Sequence, residues 1–282
     1  MYFISLKSMQ NKICIVTGAN SGIGKATAIE LAKMNATIVM LCRNKERGES
    51  AQNEIIEITG NKNVDLFLCD LSSQKEIRDF VTEFKSKYQN LHVLINNAGV
   101  MLSKKSEDGF EMNYAVNHLA PFLLTNLLLD MLKKSAPSRI INVGSAAHRM
   151  GKIDFEDLQS KNKKGRLMRL YGNSKLAMTL VSYELSRKLE GSNVTVNVLH
   201  PGLINTNLGR DRSSTSKGFA AKFFKSPEIG AETSIYLASS PEVEGITGKY
   251  FAKKMEKDSS KKSYNEEHAK RLWEISLEMT KL

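Results

Sequence analysis

Cysteine is scarce in this chain: Cys14, Cys42 and Cys69 are the three thiols among 282 residues. So odd and sparse a set excludes a disulfide framework and points to a reducing compartment. All three lie in short apolar runs, where buried thiols are the ordinary reading. No Cys-x-x-Cys pair or Cys/His cluster is present, so no metal site is expected. Proline is also rare, with five residues, and no Pro/Gly-rich linker divides the chain. No apolar run reaches the ~18 residues that a membrane span needs. Residues 1–10 are too short for a signal peptide or a span. These absences lead to the expectation of a cytoplasmic protein with no transmembrane segment.

What is present describes a globular protein. Hydrophobic residues make up 41% and charged residues 25%, which excludes wholesale disorder. The formal charge of +11 suits a phosphorylated ligand, nucleic acid or an anionic surface. The basic residues are scattered without interleaved aromatics, so no nucleic-acid partner is expected. Short apolar runs at Ile13–Val16, Thr37–Cys42, Val64–Leu68, His92–Ile95, Arg139–Val143 and Val194–Leu199 read as buried strands, with a weaker seventh at Gly248–Phe251. Helical patterns lie between them. This alternation predicts an α/β fold: a single doubly wound (Rossmann) domain with a seven-stranded parallel sheet and helices on both faces. One domain is expected over 1–282, with an N-terminal extension at 1–11 and a C-terminal tail and helix at 253–282.

In such a sheet, ligands bind beyond the carboxyl ends of the strands. Two irregular segments fall there. One, 151–169, carries Lys161, Lys163, Lys164, Arg166 and Arg169; the other is 203–226. Within the second, Phe219 and Phe223 are one helical turn apart, beside Lys222 and Lys225. That spacing predicts a short amphipathic helix acting as a substrate lid, with core packing or a membrane-surface patch as the alternatives.

After the first strand comes Thr17-Gly18-Ala19-Asn20-Ser21-Gly22-Ile23-Gly24. Gly18 allows a tight turn, and Gly22 and Gly24 let a backbone and a helix N-terminus approach a pyrophosphate. The loop from Gly18 through Asn20, Ser21, Gly22 and Ile23 to Gly24 is therefore a candidate dinucleotide site. An acid at the end of the second strand would bind ribose hydroxyls, but Arg43 stands there. An arginine can receive a 2′-phosphate, which favours NADP(H) over NAD. Arg47 follows a turn later. Asp70, with Leu71 next to it, ends the third strand, where it can hold an adenine amino group or cap the next helix.

Tyr171 and Lys175 are i and i+4 on one helix face. A lysine ammonium near a phenol should lower the phenol's pKa from about 10, giving a usable general acid/base. Ser145 lies just past a strand, in Asn142-Val143-Gly144-Ser145. With the glycine loop and Asn96-Asn97-Ala98-Gly99, four elements occur in one order. Together they resemble the short-chain dehydrogenase/reductase superfamily from Lys12 to about Phe251. Phrases such as Leu41-Cys42-Arg43-Asn44 and Asn117-His118-Leu119-Ala120-Pro121-Phe122 resemble its retinol dehydrogenase-like branch, as does the long gap between Ser145 and Tyr171.

The resemblance implies an oxidoreductase that moves a hydride between NADP(H) and a small-molecule aldehyde, ketone or alcohol, apolar or retinal-like. It implies Asn117, Ser145, Tyr171 and Lys175 as the catalytic group. Tyr171 would supply the proton and Ser145 would hold the carbonyl oxygen. Lys175 would hold the nicotinamide ribose, and Asn117 would position a relay water. It adds Asn97, Ala98 and Gly99 beside the adenosine, and Pro201, Gly202 and Thr206 beside the nicotinamide. A homo-oligomer through the long helices around Asn117 and Tyr171 is compatible with it. His118 and His200 are read as structural. A non-catalytic NADP sensor on the same fold is the alternative, although Ser145, Tyr171 and Lys175 are all retained. A nucleotide-sugar epimerase would need a longer C-terminal region and another glycine spacing.

Overall fold

The computed structural model describes residues 8–159, 167–202 and 225–282. Thr206, the Phe219/Phe223 helix, most of the expected lid and all of the basic cluster except Arg169 lie outside these residues.

Seven strands form on apolar runs, and a short eighth is exposed throughout. They are β1 (Ile13–Thr17), β2 (Thr37–Cys42), β3 (Val64–Leu68), β4 (Val93–Asn96), β5 (Ser138–Val143), β6 (Val194–His200) and β7 (Tyr250–Ala252), with β8 (Met255–Lys257) last. The sheet order is β3-β2-β1-β4-β5-β6-β7-β8. Seven strands run parallel, as expected, and the eighth pairs antiparallel with β7. The eighth strand escapes the sequence pattern because Lys253 and Lys254 form its turn, both at positive φ (53° and 62°). Glycine or asparagine normally marks such a turn.

The helices are α1 (Gly22–Lys33), α2 (Lys45–Thr59), α3 (Gln74–Lys87), α4 (Met112–Lys134), α5 (Leu167–Lys188), α6 (Pro227–Ser239) and α7 (Glu266–Thr280). Alternate strand residues point to opposite faces. Cys14, Val16, Ile38, Met40 and Ile141 pack with α1, α2 and α6. Ile15, Val39, Leu41, Leu94 and Ile140 pack with α3, α4, α5 and α7. Burial on both faces is why the strands read as continuous apolar runs. All three cysteines are buried and free.

By length and composition α4 is apolar enough to cross a membrane, but 72% of its apolar window is buried inside the protein, which makes it a core helix. A π-helical stretch, Ala115–Leu119, widens it. Helices α4 and α5, around which a homo-oligomer is compatible with the resemblance, carry α7 of the same chain. Trp273 sets its edge against Phe122 at 4.8 Å, and Ser276 bonds His118 at 2.9 Å.

Candidate active site

The sheet order reverses between β1 and β4, so a crevice opens at their carboxyl ends. On the β1 side, Thr17 braces the crevice: its hydroxyl accepts from the backbone N–H of Asn97 and of Ala98, both at 2.9 Å. The Asn97 amide donates to the Thr17 carbonyl at 2.8 Å. Gly18 and Gly22 have φ of +67° and +56°. A Cβ at Gly24 would collide with the Gly18 carbonyl and Asn97, so only glycine lets helix and loop meet. Helices α2, α3 and α7 are capped by Asn44, Ser73 and Asn265 side chains, and α6 has no side-chain cap but carries Glu228 in its first turn. Helix α1 has no side-chain cap at Ser21 and no acid in its first turn. Its free N–H groups and positive dipole end suit an anion such as a pyrophosphate. Ile23 is instead buried with Ala26 and Ala231.

At the next strand ends, Arg43 forms an exposed ion pair with Asp70 at 3.5 Å. Asp70 does not cap α3. Ser73 does, and Asp70 Oδ1 accepts from Ser72 N–H at 2.9 Å, which is an Asx turn. Leu71 leans on the core of the α3 face. Arg47 and Asn20 line an open depression of about 280 Å³ between the glycine loop and α2.

On the other side of the crevice, the turn after β5 carries Ser145. Its backbone is extended, and its hydroxyl accepts from Ala147 N–H at 3.2 Å. The turn lies close against α5 because both contact points are glycine. A Cβ at Gly172 would fall 2.8 Å from the Ala147 carbonyl, and one at Gly151 would fall 2.5 Å from that of Gly172. This approach brings the Ser145 hydroxyl beside the Tyr171 phenol, where it favours the ionised form. One turn further along α5, buried Lys175 donates to the Val143 carbonyl at 2.8 Å, with its ammonium 5.8 Å from the Tyr171 ring centre.

This geometry corrects the expected electrostatics. Burial pushes the Tyr171 phenol up, and the Ser145 hydrogen bond only partly offsets it. Lys175 does not bring it down, because its ammonium is turned to Val143. Burial lowers Lys175 itself to about 8. The proton therefore sits on the phenol at neutral pH, in contact with the serine hydroxyl.

Asn117 lies in the π stretch and uses both ends of its amide. Oδ1 accepts from Val100 N–H at 2.8 Å, and Nδ2 donates to the Val100 carbonyl at 2.9 Å and to Ser174 at 3.0 Å. A Cβ at Gly99 would lie 3.1 Å from Asn117 Oδ1 and 3.5 Å from Lys175 Nζ. Gly99, Asn117 and Lys175 thus converge closely, with little room for a side chain at position 99. Pro201 and Gly202 follow β6, with Gly202 at φ +95°.

The two histidines are structural. His118 is fully buried, its ring tilted against Tyr114 and Phe122, and burial pushes it down to about 3. His200 accepts from Ala146 N–H at 3.3 Å. Sequence reasoning missed Ser174, which holds Asn117, and the Gly151/Gly172 contact. The signal for the second was a glycine inside a strong helix pattern.

The chain belongs to the short-chain dehydrogenase family, whose profile, described as short chain dehydrogenase, matches residues 12–217. Within that family it is retinol dehydrogenase-like. It is 45% identical to human Retinol dehydrogenase 13 over 288 residues, covering 99% of this chain and 87% of the relative. Human Retinol dehydrogenase 14 is 44% identical, covering 95% and 86%. A crystal structure of an uncharacterized protein from Mycobacterium paratuberculosis has a TM-score of 0.81 at 31% identity, covering 98% of this chain and 96% of that one. The Pseudomonas aeruginosa RhlG/NADP active-site complex has a TM-score of 0.71 at 26% identity, covering 86% and 95%. The protein is thus an oxidoreductase of this family.

Proposed function

We propose that the protein is an NADP(H)-dependent oxidoreductase that interconverts an apolar, retinal-like aldehyde or ketone and its alcohol. One observation carries the chemistry: the protonated Tyr171 phenol meets the Ser145 hydroxyl in a buried corner, with Lys175 one turn behind. The nicotinamide cofactor supplies or accepts the hydride when bound. The loop from Gly18 to Gly24 and the uncapped end of α1 would hold its pyrophosphate. Asn97, Ala98 and Gly99 would flank the adenosine, and Pro201 and Gly202 the nicotinamide end.

In the reductive direction, Ser145 donates a hydrogen bond to the substrate oxygen and stabilises its developing charge. Tyr171 delivers its proton to that same oxygen. Lys175, anchored by the Val143 carbonyl, would hold a hydroxyl of the nicotinamide ribose. Asn117, held rigidly on Val100 and Ser174 beside Gly99, would orient a water for reprotonation. Preference for NADP(H) is supported by Arg43 at the end of β2, by Arg47 beside the glycine loop and by the NADP in the RhlG complex. The apolar, retinal-like substrate is supported by the relatives' names. A cytoplasmic location is supported by three buried, unpaired thiols.

The test is a panel of aldehydes, ketones and alcohols assayed with NADPH and NADH in parallel. Tyr171→Phe should lower turnover by about 10²–10⁴-fold while NADPH binding stays within about threefold, since only the hydroxyl is lost. Wild-type turnover in that variant would remove Tyr171 from its role.

A further inference from the structure

We infer that His148 and His200 are positioning residues that clamp the peptide of Ser145 from both sides through their Nδ1 atoms. The inference rests on the proposed role of Ser145 and deepens it.

His148 is fully buried beneath the turn that carries Ser145. Its Nε2 accepts from the backbone N–H of Ser260 at 2.9 Å. A backbone nitrogen can only donate there, so Nε2 is bare and the ring proton sits on Nδ1. That Nδ1–H therefore donates to the Ser145 carbonyl, 2.7 Å away. On the other flank, His200 Nδ1 accepts from Ala146 N–H, the next amide after Ser145, at 3.3 Å, and from Gly202 N–H at 3.4 Å. The carbonyl and the following amide of Ser145 are thus each tied to an imidazole.

Neither bond pattern survives a second ring proton, and the surroundings keep both rings neutral. Burial is the main cause for each ring, Arg149 adds to it for both, and His148 adds further for His200; the Ser145 hydrogen bond opposes the shift at His148. The group facing His148 from β7 is Tyr250, with ring centres 5.0 Å apart.

The clamp is anchored outside the turn. Arg149 donates to the Asp258 carbonyl at 2.5 Å and the Ser259 carbonyl at 3.4 Å. Lys262 donates to the Gly151 carbonyl at 2.9 Å. Ser259 accepts from Tyr183 on α5 at 2.8 Å. The segment after β8 therefore straps the Ser145 turn to the helix that carries Tyr171. A displacement of about 1 Å at a reacting group costs about 10²-fold in rate, so loosening either end of the clamp should be felt in turnover before binding.

Asparagine and glutamine separate this role from mere packing. An asparagine amide reaches as far as Nδ1, whereas a glutamine amide reaches as far as Nε2. At both positions asparagine can keep the bond to the Ser145 peptide and glutamine cannot, although His148→Gln retains an acceptor for Ser260. His148→Gln and His200→Gln should lower kcat about tenfold or more, with the NADPH Kd within about twofold. His148→Asn and His200→Asn should stay within about threefold of wild type. In a Ser145→Ala background, His148→Gln should change the residual turnover less than about twofold, since the residue through which it acts is gone. If that residual turnover falls below detection, the asparagine/glutamine contrast decides alone. Equal losses for asparagine and glutamine, losses that follow the melting temperature, or full activity in the glutamine variants would overturn the inference. If Ser145→Ala and Tyr171→Phe both retain wild-type turnover, it is the reading of the active site that fails; if both are impaired while His148→Gln is not, only the clamp fails.

Discussion

Gly172→Ala adds one methyl group to α5 next to Tyr171, and its consequences can be worked from the structure. The new Cβ would sit 2.8 Å from the Ala147 carbonyl, where ordinary contact begins at 3.4 Å. The turn that carries Ser145 must therefore retreat by about 0.6 Å. Overpacking of this kind costs about 1–3 kcal/mol, and replacing glycine by alanine in a helix returns about 1 kcal/mol. The net loss is then about 0–2 kcal/mol. At about 2–4 °C per kcal/mol, the melting temperature should fall by no more than about 8 °C. Catalysis has no such offset. If about 1 Å of misplacement costs about 10²-fold, the 0.6 Å retreat should lower kcat about tenfold. NADPH affinity should stay within about twofold, because the glycine loop is on the far side of the crevice. The assays are steady-state turnover of an aldehyde with NADPH, cofactor titration and thermal melting on the same sample. A kcat within twofold of wild type would show that the Ser145 turn can move without harm, and the close approach would lose its functional meaning.

Arg43→Asp should reverse cofactor preference. A charge-assisted bond to a 2′-phosphate is worth about 1.5–3 kcal/mol, or about 10- to 150-fold, whereas the exposed pair with Asp70 contributes about 0–1 kcal/mol. Relative kcat/KM for NADPH and NADH should therefore shift at nearly constant stability, and an unchanged ratio sends the 2′-phosphate elsewhere. Lys175→Met should abolish turnover and change how stability depends on pH. The folded lysine titrates near 8 and its ordinary value is 10.5, so between these the unfolded chain binds the extra proton and wild-type stability rises with pH. Measured by urea unfolding, wild type should gain on the order of 3 kcal/mol over the variant from pH 8 to 10.5; a pH-independent difference rejects a buried ammonium. Trp273→Ala should cost about 3–5 kcal/mol of stability while kcat at 20 °C stays within about threefold, since Trp273 packs on Phe122 and Lys188, away from Ser145 and Tyr171. A collapse of kcat in the still-folded variant would place α7 in the chemistry.

The sequence made the frame legible where a residue's role follows from its neighbours along the chain. Strands buried on both faces announce themselves as apolar runs, and Tyr171 and Lys175 share a face by helix period alone. Strand β8 stayed hidden because two lysines occupy a turn that glycine usually makes. The direction of the Tyr171 shift was misjudged because a spacing of four residues gives proximity, not aim. Whether an ammonium points at a phenol or at the Val143 carbonyl depends on where β5 ends. Of the two roles open to Asp70, the helix cap falls to Ser73, which stands at the right distance from the α3 N–H groups. His148 could not be assigned from sequence, since both its partners, Ser145 and Ser260, are main-chain atoms and one lies over a hundred residues away.

Main-chain partners are the common feature of the site. Apolar packing is non-directional, so the core alone would tolerate small sliding of α4 and α5 over the sheet. The site residues are aligned by backbone atoms beyond the strand ends instead. Asn117 holds both atoms of Val100 after β4. Lys175 holds the Val143 carbonyl at the end of β5. The Ser145 turn is fixed by the pairing of Val143 with Leu199, where Gly144 N–H donates to the Leu199 carbonyl at 2.7 Å. A Cβ at Gly144 would fall 2.8 Å from that same carbonyl, so the register of β5 on β6 itself requires glycine there. The relative placement of serine, lysine and asparagine is thus set by main-chain atoms at the ends of β4, β5 and β6. Loops beyond this ring of main-chain contacts can vary to suit a substrate without moving the groups that carry out the proton transfer.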